Sequence, residues 1–185
     1  MLIKNPSKGR LLVAEPSILN DKAFNRSVIY LTEHGEEGCI GFILNRPTKF
    51  VLNDLIPEIN CDFKIYNGGP VEQENLYFIH NSPHLIPKSI QIDKKMYWGG
   101  DFEILNELLN NHALKATDIR FFLGYSGWSV NQLKEELNES SWVVTENNYP
   151  NLLQVNSATL WKNQLMDFGG EYQIWANAPK NPALN

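Results

Sequence analysis

A chain of 185 residues with 43% hydrophobic and 11% aromatic content is long enough to bury a sizeable core and too apolar to stay disordered. Its net charge of −5 opposes broad electrostatic binding to nucleic acid. No stretch reaches the ~20 apolar residues of a membrane span, and the opening Met1-Leu-Ile-Lys-Asn-Pro6 lacks the apolar core of a signal peptide, so a cytoplasmic protein with no membrane partner is expected.

Residues 1–9 read as a polar lead-in, followed by a short strand over Arg10–Ala14 that Pro16 ends. Asp21–Arg26 reads as a loop or a single turn. Ser27–Glu33 and Cys39–Leu44 then flank His34-Gly-Glu-Glu-Gly38, which predicts an antiparallel hairpin with a five-residue loop. Pro47 stops the second strand, and Leu52–Ile56 has room for a turn or two of helix. Short strands are expected at Lys64–Tyr66 and Asn75–His80 with a weaker one at Ser89–Ile92, and Met96-Tyr-Trp98 leads into Gly99-Gly-Asp101. The glycine pairs at 68–69, 99–100 and 169–170 read as turns at element boundaries. Asp101 is placed to cap a helix carrying Phe102, Leu105, Leu108 and Leu109 to about residue 110.

The stretch with the most local agreement is Ile119–Leu137. Ile119, Phe121 and Leu123 alternate on one face, and Phe122 and Tyr125 make the other apolar too, so this strand needs cover on both sides. Gly124 and Gly127 are expected to break it, with Ser129 and Gln132 forming a capping box and Trp128 stapling onto Leu133. Val130, Leu133 and Leu137 make the buried face of that helix. A strand at Trp142–Thr145 and a last helix capped by Ser157, carrying Trp161, Leu165 and Phe168 and closed by Gly169, complete the chain before a polar tail from Ala176. The pattern predicts a single α+β domain over 1–185, with a mixed, mostly antiparallel sheet, three to four helices, and peripheral ends at 1–9 and 177–185.

Several chemistries lack their residues. There is no GxGxxG and no GxxxxGK[ST]. Ser126, in Gly124-Tyr-Ser126-Gly-Trp128, has Trp where a nucleophile elbow needs Gly, so it reads as a turn serine bonding its own backbone. His80 and His84 have helical metal spacing, but Pro83 and the preceding strand spoil it. Neither a cofactor, a metal site nor a catalytic residue is assigned. Cys39 and Cys61 read as free, buried thiols. Glu33, His34, Glu36 and Glu37 crowd the hairpin tip, as a solvated turn or else as acid/base equipment or a cation site.

Residues 1–50 carry seven Lys/Arg and five Asp/Glu, against nine and sixteen in the remainder. If the hairpin pairs as expected, Arg26, Ser27, Asn45 and Arg46 meet at its open end. Two guanidiniums there suit a carboxylate or phosphate; alternatively, each arginine pairs with a local Asp or Glu. The candidate binding residues are therefore Arg26, Ser27, Asn45 and Arg46, with His34.

Five segments, Phe24–Leu31, Gly41–Pro47, Gly68–Val71, Gly99–Phe102 and Arg120–Trp128, resemble the AlgH/YqgE family of bacterial proteins, in family order. Asn131, where that family usually has Gly, is the one departure noted. The resemblance implies a compact α+β fold whose strongly bent sheet makes a barrel-like body. It implies no established reaction, and the label of transcriptional regulator that its members often carry is matched here by no DNA-reading element. The expected function is a non-enzymatic binding or regulatory protein acting through a protein or small anionic partner. The alternative is an enzyme of unrecognised class acting on a small anionic substrate.

Overall fold

The computed structural model describes residues 2, 3, 5–18 and 21–178. Its strands are β1 (Leu2–Ile3), β2 (Leu11–Ala14), β3 (Val28–Gly35), β4 (Gly38–Ile43), β5 (Pro47–Val51), β6 (Lys64–Asn67), β7 (Val71–His80), β8 (Ile90–Gln91), β9 (Tyr97–Trp98), β10 (Ile119–Trp128) and β11 (Trp142–Thr145). The helices are α1 (Leu52–Leu55), α2 (Phe102–Asn110), α3 (Gln132–Asn138), α4 (Leu160–Phe168) and α5 (Glu171–Ala176). The fold is α+β, with one open sheet ordered β1-β11-β2-β3-β4-β10-β7-β9-β8 and with β5 and β6 branching from β10. Among the described residues only the β6–β10 pair is parallel.

β10 organises this sheet. Its first half lies between β6 and β7, and its second half, Ser126–Trp128, pairs with Gly41–Cys39 of β4. The glycines bend the strand without ending it, contrary to the expected break. Gly124 adopts φ +68 where the β7 register shifts, and the chain resumes as strand to Trp128. Ser126 is consequently a fully buried strand residue whose hydroxyl donates to the Gly68 carbonyl at 3.0 Å, rather than a turn serine. The Gly68–Gly69 pair is also more than a turn. A Cβ on Gly69 would stand 2.2 Å from the Tyr125 carbonyl, so backbone lies on backbone there.

Alternation then builds three cores. Leu11, Val13, Tyr30, Phe42 and Phe122 face α4 and the 152–154 turn, while Leu12, Ala14, Ile29 and Leu31 pack with Trp128, Leu133 and Trp142. Ile65, Phe78, Ile119 and Phe121 pack with Leu52, Leu105 and Leu109 of α1 and α2. β10 is therefore covered on both faces, as its apolar run requires.

Local predictions fare unevenly. Asp101 caps α2 through the Ile104 N–H, though Phe102 is exposed. α3 starts at Gln132, whose side chain accepts from the Ser129 N–H, and Val130 is 58% exposed instead of buried. Glu136, unremarked in the sequence, takes both indole N–H groups, from Trp128 at 2.8 Å and Trp142 at 2.7 Å, in one carboxylate oxygen. The hairpin turn is tighter than expected, since Gly35 pairs with Gly38 across Glu36 and Glu37. The lead-in contributes β1, paired with β11. Gly169 ends α4 with φ +75, and α5 follows as a helix the sequence reading placed in no element. Of the tail expected to be peripheral, residues 179–185 lie outside the described residues. No described helix is long and apolar enough to cross a membrane.

His80, fully buried in β7, has a fixed tautomer. The Ser82 N–H donates to Nδ1 at 3.2 Å, so Nε2 carries the proton and donates to the Gly99 carbonyl at 3.0 Å. Burial pulls its pKa below the ordinary value. The unfolded chain then binds this proton more readily than the folded protein. Stability should therefore fall as pH drops through the unfolded value of about 6.5 and level off below the depressed folded one. Urea unfolding at pH 7.5 and 5.5 checks this: His80→Gln should lose part of the pH dependence, and an unchanged dependence rules the assignment out.

Candidate functional site

The open end of the β3–β4 hairpin is stitched by Asn45. Its side-chain oxygen accepts from the Val28 N–H at 2.9 Å and its amide donates to the Arg26 carbonyl at 2.8 Å. Arg26 itself sits at φ +55. This brings Arg26 and Arg46 onto one groove of about 680 Å³, between the 22–26 loop and the start of α4. Lys22 and Lys162 join them, with Asn25, Asn45, Ser157 and Trp161. No carboxylate lines the groove among the described residues.

Among the described residues neither arginine forms an ion pair with an acid, and both are engaged by backbone carbonyls. Arg46 donates through Nη1 to Lys22 at 3.2 Å and through Nη2 to Asn25 at 2.9 Å, which holds the 22–25 loop against the hairpin. Arg26 donates to the Ala178 carbonyl at 3.0 Å and lies over the Trp161 ring, 5.0 Å from its centroid. Burial lowers the pKa of both guanidiniums, and Asp21 acts the other way on Arg46. Each remains charged, being so far above neutrality. The two lysines are exposed and form no ion pair among the described residues, where the one ion pair is Lys88–Asp101. The groove thus has two cations fixed in its wall and two free to meet a ligand.

The other candidates fall elsewhere. Ser27 is fully buried and does not line the groove. His34 pairs with Cys39 at the opposite end of the hairpin, six residues and about 20 Å along the strand from Val28. It shares that exposed tip with Glu36 and Glu37, away from both arginines. Cys39 is buried and Cys61 only partly so; both are free thiols. His84 is exposed while His80 is buried. A second cleft, of about 750 Å³, is lined by Lys94, Lys95 and His84 together with Asp118. Its polar groups are partly committed: Asp118 accepts from the Lys115 N–H and Lys95 donates to the Pro150 carbonyl.

Sequence reasoning missed Lys22, Lys162 and Trp161 as groove residues. The α4 residues approach through tertiary packing alone, and only the apolar face of that helix, which includes Trp161, was visible beforehand.

The AlgH-like family model matches residues 11–173. The chain belongs to the AlgH-like family. A UPF0301 protein of Cytophaga hutchinsonii is 39% identical over 181 residues, covering 97% of this chain and 99% of the relative. Among solved structures, protein DIP2367 of Corynebacterium diphtheriae superposes with a TM-score of 0.76 at 20% identity, covering 96% of this chain and 95% of that one. The AlgH protein of Pseudomonas aeruginosa gives 0.72 at 22% identity, with 97% and 98% covered. At those identities the two structures speak for the shared fold.

Proposed function

We propose that this AlgH-like chain is a cytoplasmic binding protein without catalytic machinery, working through its cationic groove on an anionic small molecule or protein segment. Any effect on transcription then passes through that partner. One observation carries the reading: a chain of net charge −5 gathers Lys22, Arg26, Arg46 and Lys162 around one groove with no lining carboxylate among the described residues. Such a groove concentrates field and attracts anions against the overall charge. The arginines set the potential and shape while the lysines supply movable donors.

The test is a panel of anionic metabolites and acidic peptides scored by thermal shift. Ligand at 100 times its Kd adds about 2.7 kcal/mol to apparent stability. At least one anion should stabilise the protein, and Lys22→Glu/Lys162→Glu should weaken that anion by more than about tenfold. The lysines are the proper targets because replacing Arg46 also releases the loop it holds. A charge-reversed protein that keeps every shift removes the groove from consideration.

A further inference from the structure

The groove is partly occupied by the chain itself. Ala176 lines it, and two residues later the Ala178 carbonyl accepts from Arg26. The segment that delivers this carbonyl is α5, a short helix joined to α4 through Gly169 and Gly170, both at positive φ and both with open space around them. α5 is latched to the body by the Tyr172 hydroxyl, which donates to Glu15 at 2.6 Å, and by the buried Ala176.

We propose that Ala178 is a resident competitor for Arg26: an oxyanion entering the groove takes the guanidinium from the Ala178 carbonyl and releases the end of α5. This rests on the anionic reading of the groove. A neutral carbonyl offers the guanidinium no opposing charge, whereas a carboxylate or phosphoryl group accepts two charge-assisted bonds in the same plane. The Trp161 ring beneath Arg26 holds the guanidinium in place, so the exchange moves the neutral partner and leaves the cation where it is. The glycine pair supplies the pivot, since both residues hold φ values that cost glycine nothing. Binding and release are then reciprocal: whatever loosens α5 tightens the anion, and the anion loosens α5.

Hydrogen exchange on the full chain, with sodium tripolyphosphate as the probe, tests this directly. Exchange over residues 171–178 should quicken on adding the probe. Tyr172→Phe, which unlatches α5 without touching the groove, should bind tripolyphosphate about 3- to 10-fold more tightly, the worth of one hydrogen bond. Should binding require Lys22 and Lys162 while exchange over 171–178 stays unchanged and Tyr172→Phe binds no better, the competition is overturned and the groove stands. Should tripolyphosphate fail to bind, or bind Lys22→Glu/Lys162→Glu equally well, the groove reading falls and the competition falls with it.

Discussion

Replacing Arg120 with alanine is expected to lower the unfolding free energy by roughly 3–5 kcal/mol, read from urea unfolding. Arg120 is 5% exposed near the start of β10, between the apolar Ile119 and Phe121. Its Nη1 donates to the Leu44 carbonyl at 3.0 Å and its Nη2 to the Leu153 carbonyl at 2.6 Å, and its guanidinium lies 4.4 Å from the Tyr66 ring centroid. It thus ties the central strand to the end of β4 and to the 152–154 turn. Truncation leaves two buried carbonyls without a donor, at about 1–3 kcal/mol each, and removes the cation–π contact. Arg120→Lys should recover less than half, because one ammonium cannot span both carbonyls or stack on the ring. An alanine variant within about 1 kcal/mol of the parent would show that water replaces the guanidinium at no cost.

Gly124→Ala is expected to cost more than Gly169→Ala, about 3 kcal/mol or more against about 1–3, although both glycines hold a positive φ. Gly124 has φ +68 and Gly169 φ +75. A Cβ at Gly124 would meet the Val71 carbonyl at 2.6 Å and the Gly69 carbonyl at 2.8 Å, both backbone atoms that cannot swing aside. A Cβ at Gly169 meets nothing within 4 Å. A larger loss at Gly124 would show that close packing adds to the strain of a positive φ. Equal losses would mean that the bend in β10 relaxes around a methyl group.

These residues also mark how far the sequence can be read. The alternation of Ile119, Phe121 and Leu123 made β10 a doubly covered strand, and the hairpin register brought Arg26 and Arg46 together, because both depend on neighbours along the chain. What a glycine does at Gly124 depends on Gly69 and Val71, which no local rule connects to it, so a bend looked like a break. Arg120 had one visible sign, a charge inside an apolar run, yet its carbonyl partners at 44 and 153 are set by the tertiary fold. The groove was half legible for the same reason: the loop arginines were in reach of inference, while Lys162, Trp161 and Ala178 come from the far end of the chain. α5 was missed because six residues bearing Tyr172, Ile174 and Trp175 give too short a pattern to separate helix from tail.

The shared strand β10 also fixes when this protein can fold as it leaves the ribosome. β4, β6 and β7 each wait for it as a partner, and it is synthesised after all of them. Until residue 128 has emerged, the β3–β4 hairpin and the β7 strand carry unpaired edges and uncovered apolar faces. Nascent chains arrested before β10 should therefore be held by chaperones, and chains arrested beyond β11 should begin to resist protease.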